Sequence, residues 1–220
     1  MSSIVDMTKK CTNKDFDYLI MTNILDKIIA NKKIEVERHK HDVPLSELAK
    51  KITDTNNPYS FKQALEKSSS GIIAEFKRRS PSRDWIFKDA KVDEVIPYYS
   101  QGGASAISVL TDFDFFGGTI ADLEYARSLT STPLLRKDFM VDEYQLYQAK
   151  LSGANAILLI ASALTINETK QLASKAKELG LDVLLEIHNE QELGHINDDV
   201  DVVGVNNRNL GTFVTDIQIS

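Results

Sequence analysis

Glu75 and Lys77 stand two residues apart at the end of an apolar run, Ile72-Ile73-Ala74-Glu75-Phe76-Lys77. In an extended strand, residues at i and i+2 share a face, so a carboxylate and an ammonium group emerge side by side. The Ser80-Pro81-Ser82 turn that follows adds hydroxyls and free backbone donors. Such a pair suits acid–base chemistry. It equally suits a plain salt bridge, which contributes little to stability when exposed. Recurrence favours chemistry. Pro133-Leu134-Leu135-Arg136-Lys137-Asp138 ends an apolar run in charge, as does Asp182-Val183-Leu184-Leu185-Glu186-Ile187-His188. Val202-Val203-Gly204-Val205-Asn206-Asn207-Arg208-Asn209 ends in amides and a guanidinium. Four apolar runs that stop at polar, reactive side chains imply one shared rim.

The elements that must hold this rim alternate between strand and helix from residue 71 onward. Strands are predicted over 71–76, 106–110, 134–137, 156–160, 182–186 and 202–206, with helices over 93–101, 120–128, 142–152, 166–179 and 189–195. Thr165 and Glu168 form a capping box, and Gly153 and Gly180 are helix stops. Pro97 is awkward inside a helix and predicts a start later than Asp93. Strand starts recur about every 20 to 35 residues, the rhythm of parallel βα units. Their continuous apolar character predicts a sheet covered on both faces. A doubly wound nucleotide-binding sheet would carry a glycine-rich turn after its first strand, but residues 77–82 contain no glycine. Reactive residues at several strand ends suit a closed barrel, whose strand C-termini face one centre. Residues 1–70 form a helical extension, with helices over 19–38, 46–51 and 61–67, placed to cap the barrel's bottom or drape over its active rim. Residues 71–220 form the barrel. The basic run from Lys32 to His41 is interleaved by Glu35 and Glu37 and reads as a solvated helix face. His39 and His41 lack helical metal-ligand spacing.

Composition narrows the function. The 220 residues are 42% hydrophobic and 26% charged, enough for one substantial core. A net charge of -6 argues against a general nucleic-acid or anionic-membrane surface. Cys11 is the only cysteine, so neither an intramolecular disulfide nor a cysteine zinc site is available. No segment has the apolar core of a signal peptide or approaches ~18 consecutive apolar residues. The expectation is a cytoplasmic enzyme or binding protein with no membrane contact.

Taken together, these motifs resemble the indole-3-glycerol phosphate synthase family of tryptophan biosynthesis. The resemblance lies in Ile73-Ala74-Glu75-Phe76-Lys77-Arg78-Arg79-Ser80-Pro81-Ser82, Ser108-Val109-Leu110-Thr111-Asp112 and Phe115-Phe116-Gly117-Gly118. It continues through Leu135-Arg136-Lys137-Asp138-Phe139, Leu185-Glu186-Ile187-His188 and Gly204-Val205-Asn206-Asn207-Arg208-Asn209-Leu210. It implies an α/β fold, a (β/α)8 TIM barrel with an N-terminal helical extension. It also implies a carbon–carbon lyase (carboxy-lyase) that converts 1-(2-carboxyphenylamino)-1-deoxyribulose 5-phosphate to indole-3-glycerol phosphate, carbon dioxide and water. No metal or cofactor and no obligate protein partner are implied; the only partner is the phosphorylated small-molecule substrate.

By the same resemblance, Lys137 is the general acid and Glu186 the general base. Lys77 holds the substrate carboxylate or acts as a second acid. Glu75 and Asn206 fix the ribulose hydroxyls and orient the lysines. Ser80 contacts phosphate, Leu110 and Phe116 form an apolar wall against the anthranilate ring, and Arg208 braces the rim. Arg136 adjoins Lys137 but faces the opposite side, which leaves Lys77 as its cationic neighbour.

Two departures from the family pattern stand out. Where the family has a basic residue followed by glycine, this chain has Arg83-Asp84, which predicts a different first-loop conformation if that glycine needs positive φ. From residue 71 about 150 residues remain, whereas eight units of ~25 need roughly 200. About six strands are therefore expected, a C-terminally incomplete barrel with exposed edges and a tendency to associate. The rival readings are another phosphate-binding barrel, such as phosphoribosylanthranilate isomerase, and a non-catalytic barrel fragment. The isomerase is expected to use a cysteine–aspartate pair, and Cys11 lies in the extension.

Overall fold

The computed structural model describes residues 23–207. Three helices lead in: α1 (Ile24–Asp42), α2 (Leu45–Lys51) and α3 (Phe61–Lys67). Strand β1 (Ile73–Phe76) is followed by a small antiparallel hairpin, β2 (Arg79–Ser80) and β3 (Asp84–Trp85). Then come α4 (Val92–Gln101), β4 (Ala106–Leu110), α5 (Phe113–Phe116), α6 (Ile120–Leu129) and β5 (Leu134–Lys137). The chain continues through α7 (Tyr144–Leu151), β6 (Ala156–Ile160), α8 (Ile166–Glu178), β7 (Asp182–Ile187) and β8 (Val202–Val205). Short 3₁₀ turns occupy Ala161–Ala163 and Glu190–His195.

The large sheet has the order β1-β4-β5-β6-β7-β8, and every pairing in it is parallel. Sheet neighbours are therefore chain neighbours throughout, the progression of a (β/α)8 barrel. A doubly wound sheet would reverse its order at a switch point. Six strands of the barrel are present among the described residues.

Two-residue alternation divides each strand between two cores. Ile107, Val109, Leu134, Ile157, Leu159, Val183 and Leu185 pack outward against Ile96, Leu123, Leu146 and Leu172 of the helices. Ala106, Leu135, Ala156, Leu158 and Ile160 point inward, where they meet Leu25, Ile28 and Phe61 of the extension. The inward set at the C-terminal ends of the strands carries the reactive side chains: Glu75 and Lys77, Lys137, Glu186 and His188, and Asn206.

The extension serves both ends of the barrel. Asn23 caps α1, its side chain accepting from the Asp26 N–H at 2.9 Å, while Lys40 complements the helix dipole in the last turn. α1 lies against the rim. At the other end, Asp182 opens β7 and accepts from Ser60 Oγ at 2.8 Å and from the Lys62 N–H at 3.1 Å. This brings the fully buried Phe61 into the interior from below.

Local expectations meet three corrections. α4 begins at Val92 and runs through Pro97, because burial of Val92 and Ile96 outweighs the hydrogen bond that proline forfeits. The segment 189–195 is a 3₁₀ turn rather than an α-helix, with Asn189 capping it and Glu192 folding back onto the His188 N–H at 2.8 Å. Lys32 is not on a solvated face: it has no exposed surface, because α1 turns that side toward carboxylates of the rim. The capping box at Thr165 and Glu168 forms, and Gly153 and Gly180 end α7 and α8 at positive φ. Of the first expected helix, residues 19–22 lie outside the described residues.

Candidate active site

Glu75 is the hub of the first cluster. It leaves the inner face of β1 between two ammonium groups, with Lys77 bonded to Oε1 and Lys137 Nζ 2.5 Å from Oε2. Lys137 ends β5, two strands away. Between them β4 contributes Ser108 opposite Glu75 and Leu110 opposite Lys137. The Tyr99 hydroxyl donates to the Glu75 carbonyl at 3.1 Å and ties α4 to this point of β1. Burial alone would push the Glu75 carboxyl up. The adjacent charge of Lys137 and the bonds from both lysines outweigh it and hold the group below its ordinary value.

Glu186 anchors the second cluster, on the inner face of β7. Asn206, just past β8, donates from Nδ2 to Glu186 Oε1 at 3.0 Å. His188 Nε2 lies 3.4 Å from the same oxygen, long for a hydrogen bond and imperfectly aligned. Burial would raise the Glu186 carboxyl, but His188, Asn206 and the charge of Lys137 bring it below its ordinary value. Lys137 thus faces one carboxylate in contact and senses a second across the cavity.

A cavity of about 370 Å³ joins the two clusters. Lys77, Lys137, Glu186 and Asn206 open into it, with Ser80, Pro81 and Ser82 at the β1 side. Leu110, Phe116 and Phe139 form an apolar wall, where the rings of Phe116 and Phe139 sit 5.9 Å apart. Ile24, Leu25 and Ile28 of α1 close the roof. Phe116 is held there by Gly117 and Gly118: a Cβ on Gly118 would fall 2.0 Å from the Leu110 carbonyl oxygen. A concave, largely apolar slot with a few convergent polar groups is the form taken by a small-molecule site. Eight of the nine sequence-predicted site residues meet at this rim. The ninth, Arg208, lies outside the described residues.

Asp84 resolves the departure in the first loop. Its backbone has φ 52°, the left-handed region that glycine enters without strain. The loop therefore keeps a positive-φ residue at this point, contrary to the expected change. Aspartate tolerates this conformation better than most residues, and its carboxylate accepts from Arg79 Nε at 2.6 Å. Arg79 also donates to the Asp114 carbonyl at 2.9 Å and lies over the Trp85 ring at 5.5 Å, while Trp85 packs on Gly117. The hairpin is thereby seated against α5 beside the cavity.

A third charged cluster, hidden from sequence inspection, lies behind Lys137. Lys32 pairs with Asp112 at 3.0 Å, Asp138 at 3.0 Å and Glu35 at 2.9 Å. Asp138 also accepts from Thr111 Oγ1 at 2.7 Å and Arg136 Nη2 at 2.9 Å, and Arg136 donates to the Gln145 carbonyl at 2.7 Å. Burial would lower the Lys32 ammonium, yet Asp138, Asp112 and Glu35 raise it. This network bolts α1 to the ends of β4 and β5. Its only sequence signal is a lysine three residues before a glutamate.

The family model for indole-3-glycerol phosphate synthase matches residues 25–220. The indole-3-glycerol phosphate synthase of Bacteroides thetaiotaomicron is 53% identical over 200 residues, covering 91% of this chain and 77% of that protein. That of Alkaliphilus metalliredigens is 46% identical over 194 residues, covering 87% and 74%. That of Polynucleobacter asymbioticus is 41% identical over 208 residues, covering 90% and 78%.

Proposed function

We propose roles for this site from one premise: the chain belongs to the indole-3-glycerol phosphate synthase family. Its function is that of an indole-3-glycerol phosphate synthase in tryptophan biosynthesis. The proposed chemistry is that of a carboxy-lyase: ring closure, decarboxylation and dehydration of 1-(2-carboxyphenylamino)-1-deoxyribulose 5-phosphate.

Lys137 acts as the general acid, giving a proton to the substrate ketone oxygen as the aromatic carbon attacks it. Loss of carbon dioxide then restores the ring. Departure of the hydroxyl as water needs an acid at oxygen and a base for the ring-side proton, and Glu186 is the base. A carboxyl held below its ordinary value is ionised near neutral pH and ready to accept that proton. Lys77 holds the substrate carboxylate or serves as a second acid. Glu75 keeps both ammonium groups aimed into the cavity, and with Asn206 it addresses the ribulose hydroxyls. Ser80 meets the phosphate, and Leu110 and Phe116 pack the anthranilate ring. Arg208 braces the rim. The enzyme has a helical extension, 1–70, and a barrel portion, 71–220. Its partner is the phosphorylated substrate, and it works in the cytoplasm.

The observation that carries these roles is the convergence of Lys77 and Lys137 on one carboxylate, facing Glu186 across an apolar-walled cavity. Steady-state turnover of the substrate by Lys137→Ala is the test. A fall in kcat of roughly 10²- to 10⁴-fold, with a smaller change in KM, is expected of a positioned general acid. Near-normal turnover would remove Lys137 from that role.

A further inference from the structure

His188 stands beside Glu186 at the rim, and the reaction assigns it nothing. It follows Glu186 by two residues and so shares its inward face. Its ring is flanked by carboxylates at both nitrogens: Nδ1 is 3.2 Å from Glu192 Oε2, and Nε2 is 3.4 Å from Glu186 Oε1. A neutral imidazole can donate to one of them, whereas an imidazolium can donate to both. The ring separates the two carboxylates, and the trio offers no common point for a cation.

Glu192 is itself tightly held. Its Oε2 accepts from the His188 N–H at 2.8 Å, its Oε1 accepts from Asn189 Nδ2 at 3.0 Å, and its own N–H donates to Asn189 Oδ1 at 3.2 Å. The 3₁₀ turn Glu190–His195 therefore serves as a rigid bracket for the ring. On the other side, His188 and Asn206 both address Oε1 of Glu186. Among the described residues Oε2 has no hydrogen bond, and it remains for the substrate.

We propose that His188 is a positioning residue for Glu186. Bracketed by Glu192, it clamps the rear oxygen of the carboxylate from one side while Asn206 clamps it from the other. This rests on the assignment of Glu186 as the base. Burial disfavours the charged ring, but Glu186 and Glu192 outweigh it and raise the imidazole above its ordinary value, which agrees with a ring held between two carboxylates. The 3.4 Å separation leaves room for the contact to tighten when substrate enters, as catalytic hydrogen bonds often do.

The test compares kcat and KM for His188→Ala, His188→Gln, Glu186→Gln and the double variant His188→Ala/Glu186→Gln, with unfolding midpoints measured alongside. His188→Ala is expected to lower kcat roughly ten- to a hundredfold, the order seen when a hydrogen-bonded partner that orients a metal ligand is removed. His188→Gln, whose amide can still donate to Oε1, should recover most of that loss. A residue that acts only through Glu186 has nothing left to act on once Glu186 is gone, so the double variant should be no slower than Glu186→Gln. A double variant slower than Glu186→Gln by the full His188→Ala factor would mean general structural damage and would overturn the proposal. A slow Glu186→Gln beside a His188→Ala at wild-type turnover would overturn it alone. Full turnover in Glu186→Gln would overturn the base assignment as well. Should His188→Ala fail to fold, Glu192→Gln tests the same link. The amide oxygen of that variant still accepts from the His188 N–H but carries no charge, and kcat should fall several-fold in the manner of other orienting partners. Unchanged kcat there would overturn the proposal.

Discussion

Lys32 and Lys137 are both paired with carboxylates at the same end of the barrel, yet they live in different surroundings. Lys32 has no exposed surface and touches three carboxylates, two of them as buried as itself. The Lys137 side chain is 33% exposed and shares Glu75 with Lys77. The tripeptide Arg136-Lys137-Asp138 supplies both regions. Arg136 and Asp138 enter the sealed network beneath α1, and Lys137 enters the cavity. Alternation along one strand thus separates charge that fixes structure from charge left to react. A buried ion network is costly to assemble and costlier to break, whereas a partly open pair can exchange a partner for substrate.

The sharpest way to break this comparison is to make the same substitution at both lysines. Lys32→Met should leave Asp112 buried without a cation and Asp138 with Arg136 alone, and cost about 3–5 kcal/mol of unfolding free energy in denaturant titrations. Lys137→Met should leave the unfolding free energy within about 1 kcal/mol of the parent and lower kcat by roughly 10²- to 10⁴-fold. If Lys137→Met unfolded as easily as Lys32→Met, the two clusters would be one structural unit and the distinction would fall.

Inside the sealed network the carboxylates should differ. Asp138 accepts from Thr111, Arg136 and its neighbour Phe139, and pairs with Lys32. Asp112 accepts the Phe115 N–H as a helix cap besides pairing with Lys32. Burial pushes the Asp112 carboxyl up, while Arg136 and Lys32 overcome burial at Asp138 and hold it below its ordinary value. Asp138→Asn should therefore cost about 1.5–3 kcal/mol, the range for charged hydrogen bonds. Asp112→Asn, which keeps the cap, should cost about 1 kcal/mol or less. Equal losses would show that the buried charge is shared evenly.

The two regions also differ in how well the sequence announces them. The strands are continuous apolar runs, and β4, β5 and β6 have the expected ends because charge or helix signals stop each one. Glu75 and Lys77 reveal their contact through i, i+2 spacing. The Lys32 network has no such local signature. Its neutralising groups lie at 112 and 138, and Glu35 and Glu37 make the helix look solvated. The choice between bottom and rim for the extension stays open in the sequence for the same reason, since only long-range packing shows that α1 roofs the cavity while Phe61 enters from below. His188 is within reach of sequence reasoning: it stands two residues from Glu186 and four from Glu192, spacing like that which singles out Glu75.

A smaller effect sharpens the contrast between built-in charge and adaptable rim. Asp84 takes a left-handed backbone and offsets part of the strain through its exposed pair with Arg79. Asp84→Ala keeps the strained backbone and loses the pair, whereas Asp84→Gly loses the pair but relaxes the backbone. Asp84→Gly should thus be the more stable of the two by about 1 kcal/mol in thermal unfolding. Identical midpoints would mean that the turn has moved to negative φ in the variants.

The smallest expected effect is a matter of pH. The His188 imidazole is raised above its ordinary 6.5. Stability from its charged form is therefore fully present below pH 6.5 and is lost as pH rises through the raised value. Glu75 and Glu186 are lowered from 4.5, so their contribution is present above pH 4.5 and is lost as pH falls through the depressed values. Between pH 4.5 and 6.5 all three charges stabilise the rim. The groups that face this ring are Glu186 on its own strand and Glu192 on the 3₁₀ turn, with Lys137 beyond Glu186. In that window the midpoint of the parent should exceed that of His188→Gln by about 1–2 °C, and the gap should close at higher pH. The gap between the parent and Lys32→Met should stay level over the same pH increase, because the Lys32 ammonium is raised still further from neutrality. A His188→Gln gap that is equally level would place His188 with the sealed charges and leave Glu186 oriented by Asn206 alone.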